Sequence, residues 1–187
     1  MQAIDALLRR RSAKTLSDPA PDEGALALLL ECASRAPDHG RLRPWRFIVI
    51  RGAARERLGE LMAEQLRRRR PDSSAETLQR ERQKALRAPL IIVVAAVCDA
   101  MAKVPAIEQI LAAGAAAQNM MLAATELGFG VMWKTGDAAY DDTVKGALGL
   151  DAADSIVGFL YLGTAPTDAV PPPARPQWED RVRYWGG

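Results

Sequence analysis

The chain has 187 residues, of which 49% are hydrophobic and 26% are charged, as expected for one globular domain over residues 1–187. Its 25 basic and 23 acidic residues nearly cancel, so charge alone does not predict a nucleic-acid-binding protein. One histidine and no Cys-x-x-Cys motif argue against a metal site. Residues 1–5 lack the pattern of a secretory signal. Glu108, Gln118 and Glu126 interrupt the longest apolar tract, so we expect no membrane span. With neither a secretory signal nor a span in the sequence pattern, we expect a cytoplasmic protein.

Hydrophobic periodicity predicts helices and strands along the whole chain. In chain order these are helices at about 3–12 and 22–36, a strand at 45–50, helices at about 54–70 and 75–87, a strand at 90–97, a helix at about 105–127, a strand at 129–133, a helix at 140–148 and a strand at 156–162. Asp22 is a candidate N-cap, and Gly128 is the expected C′ glycine of the longest helix. The continuous apolar run of 90–97 is typical of a strand covered on both faces. The pattern predicts an α+β or α/β domain with a central sheet.

The C-terminal segment, from about 166 to 187, differs in composition from the rest. Pro171–Pro173 and Pro176 impose an extended course on it. Because Trp178 and Trp185 would stay exposed on a free tail, we expect the segment to pack somewhere, for example as an arm across a partner subunit. A partly ordered tail is the alternative.

Two stretches near the N-terminus suggest a ligand that has a phosphate and a flat ring. The run from Arg9 to Ser12 closes the first helix, and guanidinium groups beside a hydroxyl can grip a phosphate. A solvated basic helix end is the alternative. The loop at 35–47 places His39 and Trp45 just before and within an apolar strand, where they can line an aromatic ligand.

A third stretch, Trp133-Lys134-Thr135-Gly136, follows a glycine-rich strand. Residues just past a strand end lie where open sheets bind ligands, and a plain strand exit is the alternative. No Gly-x-Gly-x-x-Gly fingerprint accompanies it. The run Arg67–Arg70 is interpreted as a solvated helix C-terminus, because nucleic-acid binding through it lacks interleaved aromatic residues. We therefore predict a small-molecule ligand and no nucleic acid.

These stretches resemble the nitroreductase family of FMN-dependent oxidoreductases that use NAD(P)H, and within it the small YdjA-like subgroup. The resemblance implies an α+β (α/β-like) fold with a central, mainly antiparallel sheet flanked by helices. It also implies an intertwined homodimer with two FMN molecules at the interface. The stretches that carry the resemblance are Arg10–Ser12, Arg35–His39, Pro44–Phe47, Arg87–Ile91, Gly128–Gly130, Trp133–Gly136 and Gly158–Thr164.

The resemblance also implies which residues bind the cofactors. The FMN contacts would be Arg10, Arg11, Ser12, Arg35, His39, Trp133, Lys134 and Thr135. The first three would hold the phosphate and ribityl chain, and one of the two loop residues would reach across the dimer interface. The NAD(P) contacts would be Ala123, Ala124, Thr125, Glu126, Leu127 and Gly128.

By the same resemblance, FMN would carry the chemistry and NAD(P)H would be a co-substrate. A hydride would pass to flavin N5, and a nitroaromatic, quinone or similar flat oxidant would take two electrons in a ping-pong cycle. Lys14 and Lys134 are candidates to stabilise negative charge on the reduced flavin. No side chain needs to act as acid or base, so no catalytic residue is predicted. Asp38, Arg41 and Arg43 should make the substrate face more polar than in larger relatives. A flavin-binding carrier or sensor with little turnover is the alternative function.

Overall fold

The computed structural model describes residues 3–166 and 177–186. Each helix and strand expected from the sequence is present in that part, with ends that differ by a few residues. The elements are α1 (Ala3–Arg9), α2 (Glu23–Ala33), β1 (Trp45–Arg51), α3 (Ala53–Arg69), α4 (Ala75–Gln83), β2 (Leu90–Ala96), α5 (Ala106–Glu126), β3 (Gly130–Lys134), α6 (Asp142–Ala147) and β4 (Ser155–Gly163). None of the described helices is both long and apolar enough to cross a membrane.

Local capping explains where the helices begin and end. The Asp22 carboxylate accepts a hydrogen bond from the Ala25 N–H at 2.8 Å, which confirms the predicted N-cap of α2. Gly128 has φ +82° just after α5, and the Phe129 N–H donates to the Ala124 carbonyl at 2.9 Å. This is the geometry of a C′ glycine. The helix expected to reach residue 87 instead ends at Gln83, and Lys84–Leu86 form a tight 3₁₀ turn before β2. The proline at 89 disfavours helical backbone at Ala88, so the helical course does not continue into β2.

The four strands form one antiparallel sheet in the order β1-β2-β4-β3. All seven residues of β2 are buried, which confirms the prediction of a strand covered on both faces. The side chains of Ile91 and Val93 point into a core beneath α3, whereas Ile92 and Val94 point into a core beneath α2 and α5. Helices on both faces of a mainly antiparallel sheet confirm the predicted α+β class.

Backbone pairing fixes the segment after α1 against the sheet. Ser12 forms a parallel bridge with Val131 in β3, and the Ala13 N–H donates to the Val131 carbonyl at 3.0 Å. Farther along, Ser17 and Thr164 exchange two backbone hydrogen bonds of 2.9 and 2.8 Å. The basic run at the end of α1 is therefore held beside β3, the edge strand of the sheet.

Several large apolar side chains are at least half exposed among the described residues. Trp178 is 50% exposed and Trp185 is fully exposed, so the described part of the chain leaves these two side chains largely uncovered. Ile4 and Leu8 of α1 and Leu111 of α5 are also largely exposed. The prolines at 171–173 and 176 lie outside the described residues. Exposed apolar groups on three separate elements are typical of an interaction surface.

The close approach of this segment to the sheet predicts a stability effect at Gly163. A Cβ atom there would lie 2.8 Å from the Ser17 carbonyl oxygen and 2.7 Å from the Pro89 ring. We expect Gly163→Ala to lower the free energy of unfolding by about 1–3 kcal/mol, measured by urea titration. Gly146→Ala in α6 is the control, because a Cβ there meets nothing within 4 Å and should stabilise by up to about 1 kcal/mol. Equal effects of the two substitutions would contradict this account.

Candidate functional site

Two cavities open at the two ends of β3. The Arg11 cavity, of about 560 Å³, lies at the first residue of the strand and is lined by Arg9, Arg11, Thr125 and Gly128 among others. The Lys134 cavity, of about 280 Å³, lies at the last residue of the strand. Four residue steps of a strand span about 13 Å. The two cavities are therefore about that far apart along β3, and the Ser12–Ala13 segment pairs with Val131 between them.

The Arg11 cavity carries positive charge that is not neutralised. Within the described part of the chain, no acidic side chain pairs with Arg9, Arg10 or Arg11, and Ser12 has no hydrogen-bond partner for its hydroxyl. Arg11 is exposed and Arg10 is half-buried outside the cavity lining. Guanidinium groups with free N–H donors bind phosphate well, because two parallel donors match two phosphate oxygens.

The Lys134 cavity brings predicted and unpredicted residues together. Lys134 and Thr135 line it, as do Lys84, Arg87 and Tyr161, which no motif in the sequence marks as ligand contacts. Its two acidic side chains are both paired. Glu81 accepts a hydrogen bond from Lys84 at 2.5 Å, and Asp137 pairs with Arg69. Arg87 and Lys134 have no acidic partner among the described residues, so this cavity is also positively charged.

Tyr161 contributes a neutral hydroxyl to the Lys134 cavity. The residue is only 3% exposed, and its hydroxyl makes no hydrogen bond within the described residues. Burial raises the pKa of Tyr161 to about 12, while Arg87 opposes and Glu81 adds to the increase. A phenol with that pKa keeps its proton at neutral pH, so it has an O–H group that can donate a hydrogen bond into the cavity.

Trp133 faces away from the Lys134 cavity. Its indole N–H donates to the Val157 carbonyl at 3.1 Å, and its ring covers Gly158 so closely that a Cβ there would lie 2.1 Å from the ring nitrogen. Along a strand, the backbone N–H and C=O groups of every second residue point to the same side. The Val131 carbonyl points to the outer edge of β3, where it accepts a hydrogen bond from Ala13, so the Trp133 backbone groups point to that outer edge as well. The backbone groups of Trp133, and not its indole ring, are therefore available to a ligand at this edge.

The two loop residues lie in different places. Arg35 lines a third cavity, of about 450 Å³, together with Leu7, Ala123 and Glu126, close to the C-terminal end of α5. His39 lies at the other end of the helix, where its Nδ1 is 2.6 Å from the Glu108 carboxylate. Glu108 and Thr125 are about 26 Å apart at the rise of an α-helix. A single chain therefore does not bring His39 near the Arg11 cavity.

The stretch predicted to bind NAD(P) forms the end of α5. Ala124 is completely buried, and the Thr125 hydroxyl donates to the Met121 carbonyl at 2.9 Å. The C-terminal end of a helix carries negative partial charge. An anionic ligand there would depend on Arg9 and Arg11, which face Thr125 and Gly128 across the Arg11 cavity.

Three of the four arginines in the basic run at the end of α3 pair with neighbouring carboxylates. Arg67 pairs with Glu64, Arg68 lies 2.9 Å from Asp141, and Arg69 pairs with Asp137. The run lies at a largely exposed helix end, as predicted, and it also ties α3 to the turn after β3. Across residues 3–166 and 177–186, no three side chains of His, Cys, Asp or Glu converge as metal ligands would.

Comparison with known proteins points to one family. A model of the nitroreductase family matches residues 7–164. The chain is 42% identical over 164 residues to the Escherichia coli (strain K12) protein named "Putative NAD(P)H nitroreductase YdjA", which covers 88% of each chain. It is 36% identical over 165 residues to a Haemophilus influenzae protein named "Putative NAD(P)H nitroreductase", covering 88% of this chain and 89% of the other.

Solved structures with the same fold include relatives of moderate identity. The nitroreductase-like family protein from Bacillus cereus has a TM-score of 0.83 and 27% identity, covering 100% of this chain and 97% of that one. A "putative nitroreductase in complex with FMN" from Desulfovibrio desulfuricans has a TM-score of 0.76 and 27% identity, covering 97% of this chain and 95% of the other.

The raised pKa of Tyr161 predicts a loss of stability at alkaline pH. The unfolded phenol titrates near 10 and the folded one has a pKa of about 12, so the unfolded chain releases its proton first. The phenol's contribution to stability therefore falls as the pH rises from 10 toward 12. Between pH 8 and pH 11, the free energy of unfolding should fall by about 1.4 kcal/mol more in the wild type than in Tyr161→Phe. Urea titrations of both proteins at pH 8 and pH 11 measure this difference, and equal losses would contradict it.

Proposed function

The chain belongs to the nitroreductase family, and from that premise we propose that it is an FMN-dependent oxidoreductase acting in the cytoplasm as a homodimer. It would transfer a hydride from NAD(P)H to nitroaromatic, quinone or similar flat oxidants. The observation that carries the proposal is the pair of positively charged cavities at the two ends of β3. The Arg11 cavity suits a phosphate, and the Lys134 cavity offers hydrogen-bond donors and positive charge to a polar ring.

The residues present fit FMN. Ser12 is paired to β3 at Val131, which holds the backbone of the basic run beside this strand; the Arg11 side chain lines the Arg11 cavity, whereas Arg10 and Ser12 lie outside its lining. A phosphate bound by Arg11 would leave the rest of the molecule to run along this edge toward Lys134. The Desulfovibrio desulfuricans relative, which is 27% identical, has FMN bound, and this supports the assignment.

Bound FMN would supply the redox chemistry, a two-electron transfer from NAD(P)H to the oxidant. The protein would bind the cofactor and adjust its reduction potential. Arg10, Arg11 and Ser12 would bind the phosphate end, and the Trp133 backbone and Thr135 would contact the ring. The positive charge of Lys134, assisted by Lys14, would stabilise negative charge that reduction places on the ring. Proton delivery needs no dedicated side chain, so no catalytic residue is assigned.

The separation of the predicted contacts supports a homodimer. His39 and the Arg11 cavity lie at opposite ends of α5, about 26 Å apart, so one FMN molecule can touch both only if two subunits contribute. We assign the contact across the interface to His39. The exposed side chains of Ile4, Leu8 and Leu111 would then be covered by the partner, and the tail with Trp178 and Trp185 would lie across it as an arm.

The first test is an absorbance spectrum of the freshly purified protein. We expect flavin bands, released as FMN on denaturation, that bleach when NADH or NADPH is added without oxygen and return when a quinone or nitroaromatic compound follows. Bands that persist with both nucleotides would favour a flavin-binding carrier or sensor. Absence of bands, with none appearing after added FMN, would contradict the proposed cofactor.

A mixed dimer tests whether the two subunits share each site. Arg11→Ala and His39→Ala homodimers should each bind FMN weakly, because both of their sites lack one contact. A heterodimer of the two chains places both substitutions in one site and leaves the other intact. We expect it to bind about one FMN with wild-type affinity, measured by fluorescence titration.

The matched control is a heterodimer of Arg10→Ala and Arg11→Ala chains. Both residues belong to the same side of the site, so each site in this heterodimer lacks one of them. No tight site should appear. Equal behaviour of the two heterodimers would contradict a shared site with His39 on the partner's side.

A further inference from the structure

We propose that Glu108 is a positioning residue for the cofactor, because it fixes the tautomer and direction of the His39 imidazole. The inference rests on the proposed function, in which His39 contacts FMN bound mainly by the partner subunit. His39 follows α2 and Glu108 lies in the first turn of α5. The two side chains are 69 positions apart in the sequence, and the fold brings them together.

The geometry of the pair determines which nitrogen carries the proton. His39 Nδ1 lies 2.6 Å from a Glu108 carboxylate oxygen, and an ionised carboxylate can only accept a hydrogen bond. Nδ1 must therefore carry hydrogen. In the neutral imidazole, Nε2 is then an acceptor, so it would receive a hydrogen bond from a donor of the cofactor, such as a ribityl hydroxyl.

The loop that carries His39 is itself held in an unusual conformation. Arg41 and Arg43 have φ values of +55° and +49°, a region that residues other than glycine rarely adopt. The Asp38 carboxylate accepts a hydrogen bond from the Arg43 N–H at 2.7 Å, and the Arg46 guanidinium donates to the Arg43 carbonyl at 3.0 Å. Strained backbone that its surroundings hold in place is typical of ligand-contacting segments.

Stability alone is a poor explanation of the pair. The side chains of His39 and Glu108 are 69% and 43% exposed, and ion pairs with that exposure contribute little to folding. The hydrogen bond does hold the His39 imidazole in one orientation against α5, the helix that carries Glu108. Its effect should therefore appear in the properties of His39 and not in the unfolding free energy.

The first test reads the tautomer directly, without FMN. His39 is the only histidine of the chain, so an untagged, ¹⁵N-labelled apoprotein gives one pair of imidazole nitrogen signals. At a pH where the ring is neutral, we expect the Nδ1–H form in the wild type and the Nε2–H form, which free histidine favours, in Glu108→Ala. An Nε2–H form in the wild type, or the same tautomer in both proteins, would overturn the inference.

The second test asks whether this orientation matters for FMN. We expect Glu108→Ala to weaken FMN affinity about 3- to 10-fold, the range for one hydrogen bond. In a His39→Ala background the same substitution should change nothing, because there is no imidazole left to orient. An equal loss in both backgrounds would mean that Glu108 acts on the structure in general, and would overturn the inference. Glu76→Gln, which removes an exposed ion pair on α4, is the control and should leave affinity unchanged.

The two tests separate failure of the inference from failure of the proposed function. If the wild-type protein binds no FMN, the proposed function fails and the role of Glu108 toward FMN fails with it, whatever tautomer is found. If the wild type binds FMN and Glu108→Ala binds it equally well, only the positioning role is overturned.

Discussion

The candidate site depends on the backbone pairing between the segment after α1 and the edge of the sheet. The bridge from Ser12 to Val131 and the paired hydrogen bonds of Ser17 and Thr164 hold this segment in one register. The register decides which end of β3 the arginines of α1 lie beside. It is possible only because Gly130 and Gly163 have no side chain, since a Cβ at either position would come within 3 Å of this segment or its neighbours.

Burial of β2 explains why the site lies at the edge. With all seven residues covered, the centre of the sheet has no room for a ligand, and both faces are occupied by helices. At the edge strand β3, backbone groups beyond the pairing of Val131 with Ser12 and Ala13 stay accessible. The same arrangement leaves apolar side chains of α1 and α5 uncovered. A site at an uncovered edge and an uncovered apolar surface are both consistent with the proposed homodimer.

Charge placement distinguishes the basic groups that have structural roles from those available to a ligand. Arg67, Arg68 and Arg69 at the end of α3 are paired with Glu64, Asp141 and Asp137, so most of the positive charge of this run is matched by carboxylates of the same chain. Arg11 and Lys134 have no such partners within the described residues. An unpaired cation attracts an anion more strongly than one that is already paired with a carboxylate. Arg11 and Lys134 are therefore better candidates for binding FMN than the longer arginine run at the end of α3.

The sequence by itself determined the helices and strands, the buried central strand, the Asp22 and Gly128 caps and the family, because these depend on local patterns of hydrophobicity, capping and motif order. It also identified Arg11, Lys134 and Thr135 as site candidates. Only the tertiary structure added Lys84, Arg87 and Tyr161 to the Lys134 cavity, turned the Trp133 ring away from it, paired His39 with Glu108, and placed His39 far from the Arg11 cavity. Those features join residues that are distant in the chain, and no local pattern records which of them meet when the sheet and its helices pack.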